Sequence, residues 1–313
     1  MSLNLVYENG LHLNGTSLWF DALEPRTMSF ISSARHRVLQ HGRLLMSPPT
    51  ARLVRGVGRG RALVASYEQS FSIGKMRLTL FPAGSVLGAA QLLVEHLGQR
   101  LLYSGTVGPL EGLRSVRPVR VARCEVLVID TPDVPLHPTR QAAEASWESM
   151  GRRLSEVRGS GRTPLVLCSA LGTAQEILAR REPGTRVRAH RAIQHANEEY
   201  RRFGVDLHRT LELRARGRFK PSELLLFPAS LGASPSLARL RKVEVLDATE
   251  LGLESANYAT LDELEAFVAS TGAKSVAVLG AQRRALLERL EGKTELIELN
   301  IPMQGSLFAP QSP

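Results

Sequence analysis

Short apolar runs closed by turn residues fill the first 130 positions of the chain. "LHLNGTSLWFDAL", "RALVASYEQSFSIGKMRLTLFPAG", "QLLVEHLGQRLLYSGTVG" and "CEVLVIDTPD" cluster or alternate their apolar residues over strand-like lengths and end in Gly, Pro, Asn or Asp, which predicts β-strands joined by turns. From about Thr139 the period lengthens. "TRQAAEASWESMGRRLSEVRG" has apolar residues at helical spacing, and is followed by the buried strand "TPLVLCSALG" and the helix "TAQEILARRE". Strand-like "TRVRAH" and helical "AIQHANEEYRRFG" come next. After Lys220 the chain reads as strands "ELLLFPAS" and "KVEVLDAT", helix "TLDELEAFVAST", strand "KSVAVLG", helix "AQRRALLERLEG" and strand "ELIELN". No fixed-period repeat interrupts this order.

Four of these strings, taken in order, resemble the metallo-β-lactamase-fold nucleases. "LWFD" (Leu18 to Asp21) resembles their first motif, a strand ending in Asp. "FISSARHRVL" occupies the place of their Ser-His-x-His-x-Asp-His motif. "LFPAGSVLGAAQLLVEHLGQRLLYSGTVG" is similar to their paired strands with Pro-Ala-Gly-His-x-Leu-Gly-Ser-Ala-Gln and Tyr-Ser-Gly-Asp. "LCSALGTAQEIL" resembles the helix start of the β-CASP insert. The likeness is greatest to the short ligase-associated or mRNA 3′-end-processing-like exonucleases. It implies an α/β fold, an αββα metallo-β-lactamase sandwich carrying a reduced β-CASP-like insert. The expected division is an N-terminal half over 1–130, the insert over 131–219, a C-terminal half over 220–302 and a tail over 303–313.

The resemblance also implies a pair of metal ions, usually zinc, held by His and Asp, whose bridging hydroxide attacks a phosphodiester. In this chain the four ligand places of the second motif are held by Ser33, Arg35, Arg37 and Val38, with His36 falling between them. A shifted register can save His36 as one ligand, but then no other position fits. Further ligand places hold Ser85, Thr106, Asn257 and Leu279. We therefore expect no metal, no cofactor and no catalytic residue. Two acids are retained: Asp21, which in the family orients the ligands, and Asp130 at the end of "VLVID". Each also reads as an ordinary strand-end or turn carboxylate. None of the eight histidines shows the paired spacing of a metal site, and neither a Gly-x-Ser-x-Gly elbow nor a Walker loop is present.

Composition adds two constraints. Cys124 and Cys168 each lie within an apolar run, predicting free buried thiols and a reducing, cytoplasmic setting. The first residues lack the basic and apolar segments of an export signal, and no run of about 18 apolar residues suggests a membrane span. The net charge is +10, and only five of the 40 basic residues are lysine. Between Arg26 and Arg61 there are eight arginines and no acid; between Arg140 and Lys220 there are 17 basic and 9 acidic residues. Such clustering points to a polyanion. Arg35, Arg37, Arg52, Arg55, Arg59 and Arg61 are the expected nucleic-acid contacts, since guanidinium binds phosphate without activating water. The alternative is that these arginines fill the former metal cavity and pair with Asp21 or Asp130.

The end of the chain carries Gln304-Gly305-Ser306-Leu307-Phe308, which resembles the Gln-x-Ser/Asp-Leu-Phe peptide that docks bacterial repair proteins on the sliding clamp. Gln304, Leu307 and Phe308 would contact that partner; alternatively Leu307 and Phe308 fold back as a hydrophobic staple. The resulting expectation is a catalytically silent nuclease-like protein that binds nucleic acid, DNA in preference to RNA. It would act as an accessory or scaffold subunit beside an active nuclease, ligase or polymerase, without a membrane. The alternatives are a hydrolase with a rebuilt site and a pure protein-interaction module.

Overall fold

The computed structural model describes residues 3–36, 38–54, 61–214 and 217–300. The first sheet runs in chain order through β1 (Leu5–Tyr7), β2 (Leu11–Leu13), β3 (Leu18–Phe20), β4 (Met28–Phe30), β5 (Arg43–Met46) and β6 (Ala62–Val64). Its first three strands are antiparallel and β3 to β6 are parallel. Between β5 and β6 lies helix α1 (Pro48–Leu53), started by Pro48 and by the Ser47 hydroxyl, which accepts from the Thr50 amide. The second sheet begins with the antiparallel strands β7 (Phe71–Ile73), β8 (Met76–Pro82), β9 (Ala90–His96) and β10 (Gln99–Thr106), and adds β11 (Val126–Thr131) parallel to β10.

From β11 the chain leaves the two sheets through α2 (Arg140–Gly159), β12 (Thr163–Cys168), α3 (Thr173–Arg180), β13 (Val187–Ala189), α4 (Arg191–Arg202), β14 (Leu211–Glu212), β15 (Leu224–Pro228), the short α5 (Pro235–Ala238) and β16 (Val243–Asp247). It returns with α6 (Leu261–Thr271), β17 (Ser275–Gly280), α7 (Arg283–Leu290) and β18 (Glu295–Leu296); β17 pairs with β11, and β18 with β17.

Strand alternation places the core. Leu11, Leu13, Phe20, Phe30 and Leu45 of the first sheet meet Leu78, Leu80, Leu92, Leu101, Tyr103 and Val128 of the second in one buried layer. The other face of the second sheet, with Leu102, Leu127, Ile129 and Val276, packs on Leu264 and Phe267 of α6 and Leu286 of α7. Strand β11, with Val128 on one face and Leu127 and Ile129 on the other, is therefore buried on both faces, which is why its sequence reads as a continuous apolar run. The outer face of the first sheet carries a smaller cluster, Ile31, Leu44 and Met46, beside Val38 and Ala51. No helix among the described residues is long and apolar enough to cross a membrane. Cys124 and Cys168 are free and buried, as their apolar surroundings predict.

The mixed α/β class matches expectation, but the expected insert boundary at 219/220 does not. Five parallel strands form a third sheet in the order β14-β13-β15-β12-β16. Strands β15 and β16, assigned from sequence to the C-terminal half, flank β12 within the insert. The insert therefore extends through Asp247. An apolar run identifies a strand but not the sheet that receives it, and the pairing with β12 is a tertiary choice.

Glu263 anchors the return from the insert. It closes a capping box with Thr260 at the start of α6. Its carboxylate also accepts from the Leu110 amide at 3.1 Å and from Arg140, the first residue of α2, at 2.8 Å. Burial alone would raise its pKa, but Arg140 and the amides of Thr260 and Leu110 hold it below the ordinary carboxylate range. A depressed folded pKa gives a contribution that is complete above the unfolded value of about 4.3 and is lost as pH falls through the folded value. Glu263→Gln is expected to lower unfolding stability at pH 7 by about 1–3 kcal/mol. In urea titrations the difference from wild type should shrink as the pH drops below about 4.

Candidate functional site

Asp21 directly follows β3, and its φ of 42° lies in the left-handed region. That turn aims its carboxylate across the sandwich. One oxygen accepts from the Ser32 amide at 2.8 Å, and the other accepts from the Tyr103 hydroxyl of β10 at 2.9 Å. Asp21 thus ties the two sheets together at one end. Burial, and then the negative charges of Asp21 and Asp130, push the Tyr103 phenol well above its ordinary value, so it stays a donor.

His36, on the loop after β4, brings Nε2 to 3.7 Å from Asp21 Oδ2. Asp130, near the end of β11, completes a group in which one ligand atom from each of Asp21, His36 and Asp130 lies within 4.8 Å of the others. Burial first, with further upward pressure from Asp21 and Asp133 against the opposing pull of His36, pushes the Asp130 carboxyl up to about 7. Burial pulls the His36 imidazole down, but the carboxylates of Asp21, Asp130 and Asp133 together outweigh it and hold its pKa above the ordinary value. Sequence reading set His36 aside as lying between ligand places. Its partners come from other strands, and no local spacing reveals them.

The remaining positions named from sequence converge only in part. Thr106, Asp130 and Leu279 stand side by side across β10, β11 and β17, and the Ser85 and Thr106 hydroxyls are 3.5 Å apart. Ser33 accepts from the Arg35 amide. Val38 packs under the first sheet. The buried Asn257 donates to the Thr173 hydroxyl at 2.7 Å, and that hydroxyl donates to Glu254 at 2.6 Å. Leu279 is buried, its side chain offers no ligand atom, and its backbone carbonyl accepts from the Thr131 hydroxyl at 2.7 Å. Ser33, Arg35, Val38, Ser85, Thr106 and Leu279 supply no imidazole or carboxylate. These residues do not fit the ion pair that the resemblance implies, and no chemical step is derived through it.

Arg35, expected either to contact phosphate or to pair with Asp21 or Asp130, pairs with neither acid among the described residues, and 20% of its side chain is exposed. Its guanidinium turns into the seam between sandwich and insert. There it donates to the Leu171 carbonyl at 2.8 and 3.1 Å and to the Tyr258 hydroxyl, and lies 3.6 Å from the Glu254 carboxylate. Gly172 makes room for it: a Cβ there would sit 2.6 Å from an Arg35 nitrogen, at a φ of +99° that favours glycine. Glu254, only 7% exposed, also accepts from the Ser169 amide at 2.6 Å. Sequence reasoning missed Glu254 and Tyr258, since a lone acid and a lone tyrosine carry no motif.

Arg52, on α1, contacts both oxygens of Glu199 at 3.2 Å and is half-exposed. Arg61 is exposed. Arg37, Arg55 and Arg59, together with Gln304, Leu307 and Phe308, lie outside the described residues. A cavity of about 830 Å³ lies away from the Asp21 cluster. It opens at the sandwich edge between β6 and β7, lined by Leu63, Val64, Phe71 and Ile73. It presents no carboxylate or imidazole, so the chemistry is better sought at the cluster.

No protein-family model matches the chain. Over 220 residues, 66% of its length, the chain is 28% identical to a probable DNA ligase of Opitutus terrae and covers 21% of that protein. Over 117 residues, 36% of its length, it is 33% identical to cleavage and polyadenylation specificity factor subunit 3 of Dictyostelium discoideum, covering 14% of it. It is also 30% identical over 115 residues to endoribonuclease ysh-1 of Neurospora crassa, covering 13% of that protein. The chain thus spans about a fifth or less of the length of these relatives. In fold it is similar to a protein of unknown function from Enterococcus faecalis, with a TM-score of 0.54 and 11% identity, over 87% of this chain and 79% of that one.

The Arg35 seam generates a stability test. Arg35→Ala would leave Glu254 buried without its cation and is expected to cost about 2–4 kcal/mol. Gly172→Ala should also destabilise, through both its backbone conformation and its collision with Arg35. Equilibrium unfolding of the two single variants and the double variant checks this. The double should lose less than the sum, because both changes disrupt the same packing.

Proposed function

We propose that this chain is a nuclease-like protein that binds nucleic acid, DNA in preference to RNA, as an accessory or scaffold subunit in DNA repair or processing. On this reading it is an αββα metallo-β-lactamase sandwich with a reduced β-CASP-like insert that no longer performs two-metal hydrolysis. One observation carries the reading. The place where the resemblance calls for a ligand imidazole is held by Arg35, whose guanidinium is turned away into the seam. The neighbouring places, Ser85, Thr106 and Leu279, offer hydroxyls or a methyl-bearing side chain. Two-metal hydrolysis needs donors that hold both ions and lower the pKa of a bound water, and these side chains cannot replace them.

Support for nucleic acid as partner comes from charge and from likeness. The basic stretches named above remain when Arg35 is withdrawn from the contact set, leaving Arg37, Arg52, Arg55, Arg59 and Arg61. The relatives named above include a DNA ligase and an endoribonuclease. The second reading, a hydrolase with a rebuilt site, draws its support from the Asp21, His36 and Asp130 group. A nuclease assay separates the two. Incubation of single- and double-stranded DNA and RNA with the protein and added zinc or manganese should leave them intact, and cleavage that His36→Ala abolishes would establish the hydrolase.

Binding should follow phosphate electrostatics. Affinity for duplexes of unrelated sequence is expected to fall steeply with salt. The triple variant Arg55→Ala, Arg59→Ala, Arg61→Ala should flatten that dependence by about 0.9 in log–log slope for each phosphate no longer neutralised. An unchanged slope would assign these arginines to another role.

We further propose that Gln304, Leu307 and Phe308 dock on a sliding clamp. An extended peptide of this kind orders few residues and gains effective concentration on a ring held at DNA. The expected outcome is that the full chain binds the cognate clamp and that Leu307→Ala with Phe308→Ala abolishes binding without lowering the melting temperature. A loss of about 2–5 kcal/mol in folding stability, with clamp binding absent throughout, would identify a core-facing staple instead.

A further inference from the structure

We propose that Asp21, His36 and Asp130 bind one divalent transition-metal cation. This site is not the two-metal centre implied by the resemblance: in the register that fits the rest of the motif His36 falls between ligand places, and Asp21 and Asp130 are retained acids outside the ligand set. The inference does not rest on the nucleic-acid reading and holds whether or not the chain cleaves anything.

The geometry is close to what an ion requires. Metal bonds of about 2.0–2.2 Å to nitrogen and oxygen separate neighbouring ligand atoms by roughly 3.0–3.5 Å. Asp21 Oδ2 and His36 Nε2 stand 3.7 Å apart, and the whole group lies within 4.8 Å. Contraction around an ion therefore needs movements of about 1 Å, available to the His36 side chain, which is 29% exposed, while Asp21 is held by Ser32 and Tyr103.

Electrostatics favours the same occupant. Two carboxylates facing one another repel, and one imidazole supplies at most one compensating positive charge. Arg35 sits next to His36 in sequence, but its guanidinium is committed to Leu171, Tyr258 and Glu254. A dication would satisfy both carboxylates and the imidazole nitrogen at once.

The surroundings orient the donors as metal sites commonly do. The Ser32 amide holds Oδ1 of Asp21 and the Tyr103 hydroxyl holds Oδ2, which is thereby shared between Tyr103 and the cluster. The Ser32 hydroxyl, beside that amide, is buried and has no hydrogen-bond partner among the described residues. One imidazole and two carboxylates suit manganese, iron or zinc rather than a soft thiolate-seeking ion. With three protein ligands and a partly exposed imidazole, at least one coordination position is left for water or a ligand oxygen.

The test uses the full chain, stripped with EDTA, dialysed, and titrated with zinc or manganese salts alone. Calorimetry and elemental analysis should find one ion per chain, bound at least about tenfold more weakly by His36→Ala and by Asp130→Asn. The melting temperature of wild type should rise with added metal, and that of the variants should not. Circular dichroism verifies that the variants are folded. Asp21 is left intact because its carboxylate also fixes the turn after β3. Should Asp130→Asn fail to fold, His36→Ala decides, since the His36 side chain is 29% exposed. Absence of a retained ion and of any thermal shift in wild type would overturn the proposal. So would binding that is unchanged in His36→Ala.

Discussion

A guanidinium buried at the junction of two structural units must find oxygen acceptors on both, because an unpaired buried charge is among the most costly features a fold can carry. Arg35 meets that demand with the Leu171 carbonyl from the insert and the Tyr258 hydroxyl and Glu254 carboxylate from the segment leading back to the sandwich. Much of the local structure follows from this. Gly172 has to lack a side chain, Glu254 must also be satisfied by Ser169 and Thr173, and Asn257 is drawn in through Thr173. Arg35, at a place where the resemblance implies a ligand, is therefore also a tie between the insert and the sandwich.

The second organising charge is Asp21. It accepts from opposite sheets through Ser32 and Tyr103, and this places His36 and Asp130 within reach of the same carboxylate. The two networks occupy adjacent residues of one loop but face in opposite directions, with Arg35 toward the insert and His36 toward the sandwich. Two separate polar networks thus start from neighbours in sequence.

The strands and helices were legible because their apolar periods differ, and the buried thiols because they sit in apolar runs. The destination of a strand was not. "ELLLFPAS" and "KVEVLDAT" read as strands, yet nothing in them says that they flank "TPLVLCSALG" rather than join the sandwich. The retained acids Asp21 and Asp130 were visible as strand-end residues, but their meeting with His36 depends on three elements distant in sequence. The seam contacts of Arg35 were hidden for a related reason. A count of positive charge treats every arginine as solvent-facing, and only the positions of Leu171, Glu254 and Tyr258 reveal that this one is internal. Where the sequence departs from the resemblance most plainly, at Ser85, Thr106 and Leu279, the backbone still brings those positions to the same end of the sheet.

The row formed by Thr106, Asp130 and Leu279 is set by main-chain ladder bonds between three parallel strands, which are indifferent to the side chains they carry. Architecture and reactivity are separable here. A lineage can exchange the groups presented along this rim without solving its folding problem again, so the same frame can be emptied of one chemistry and furnished with another.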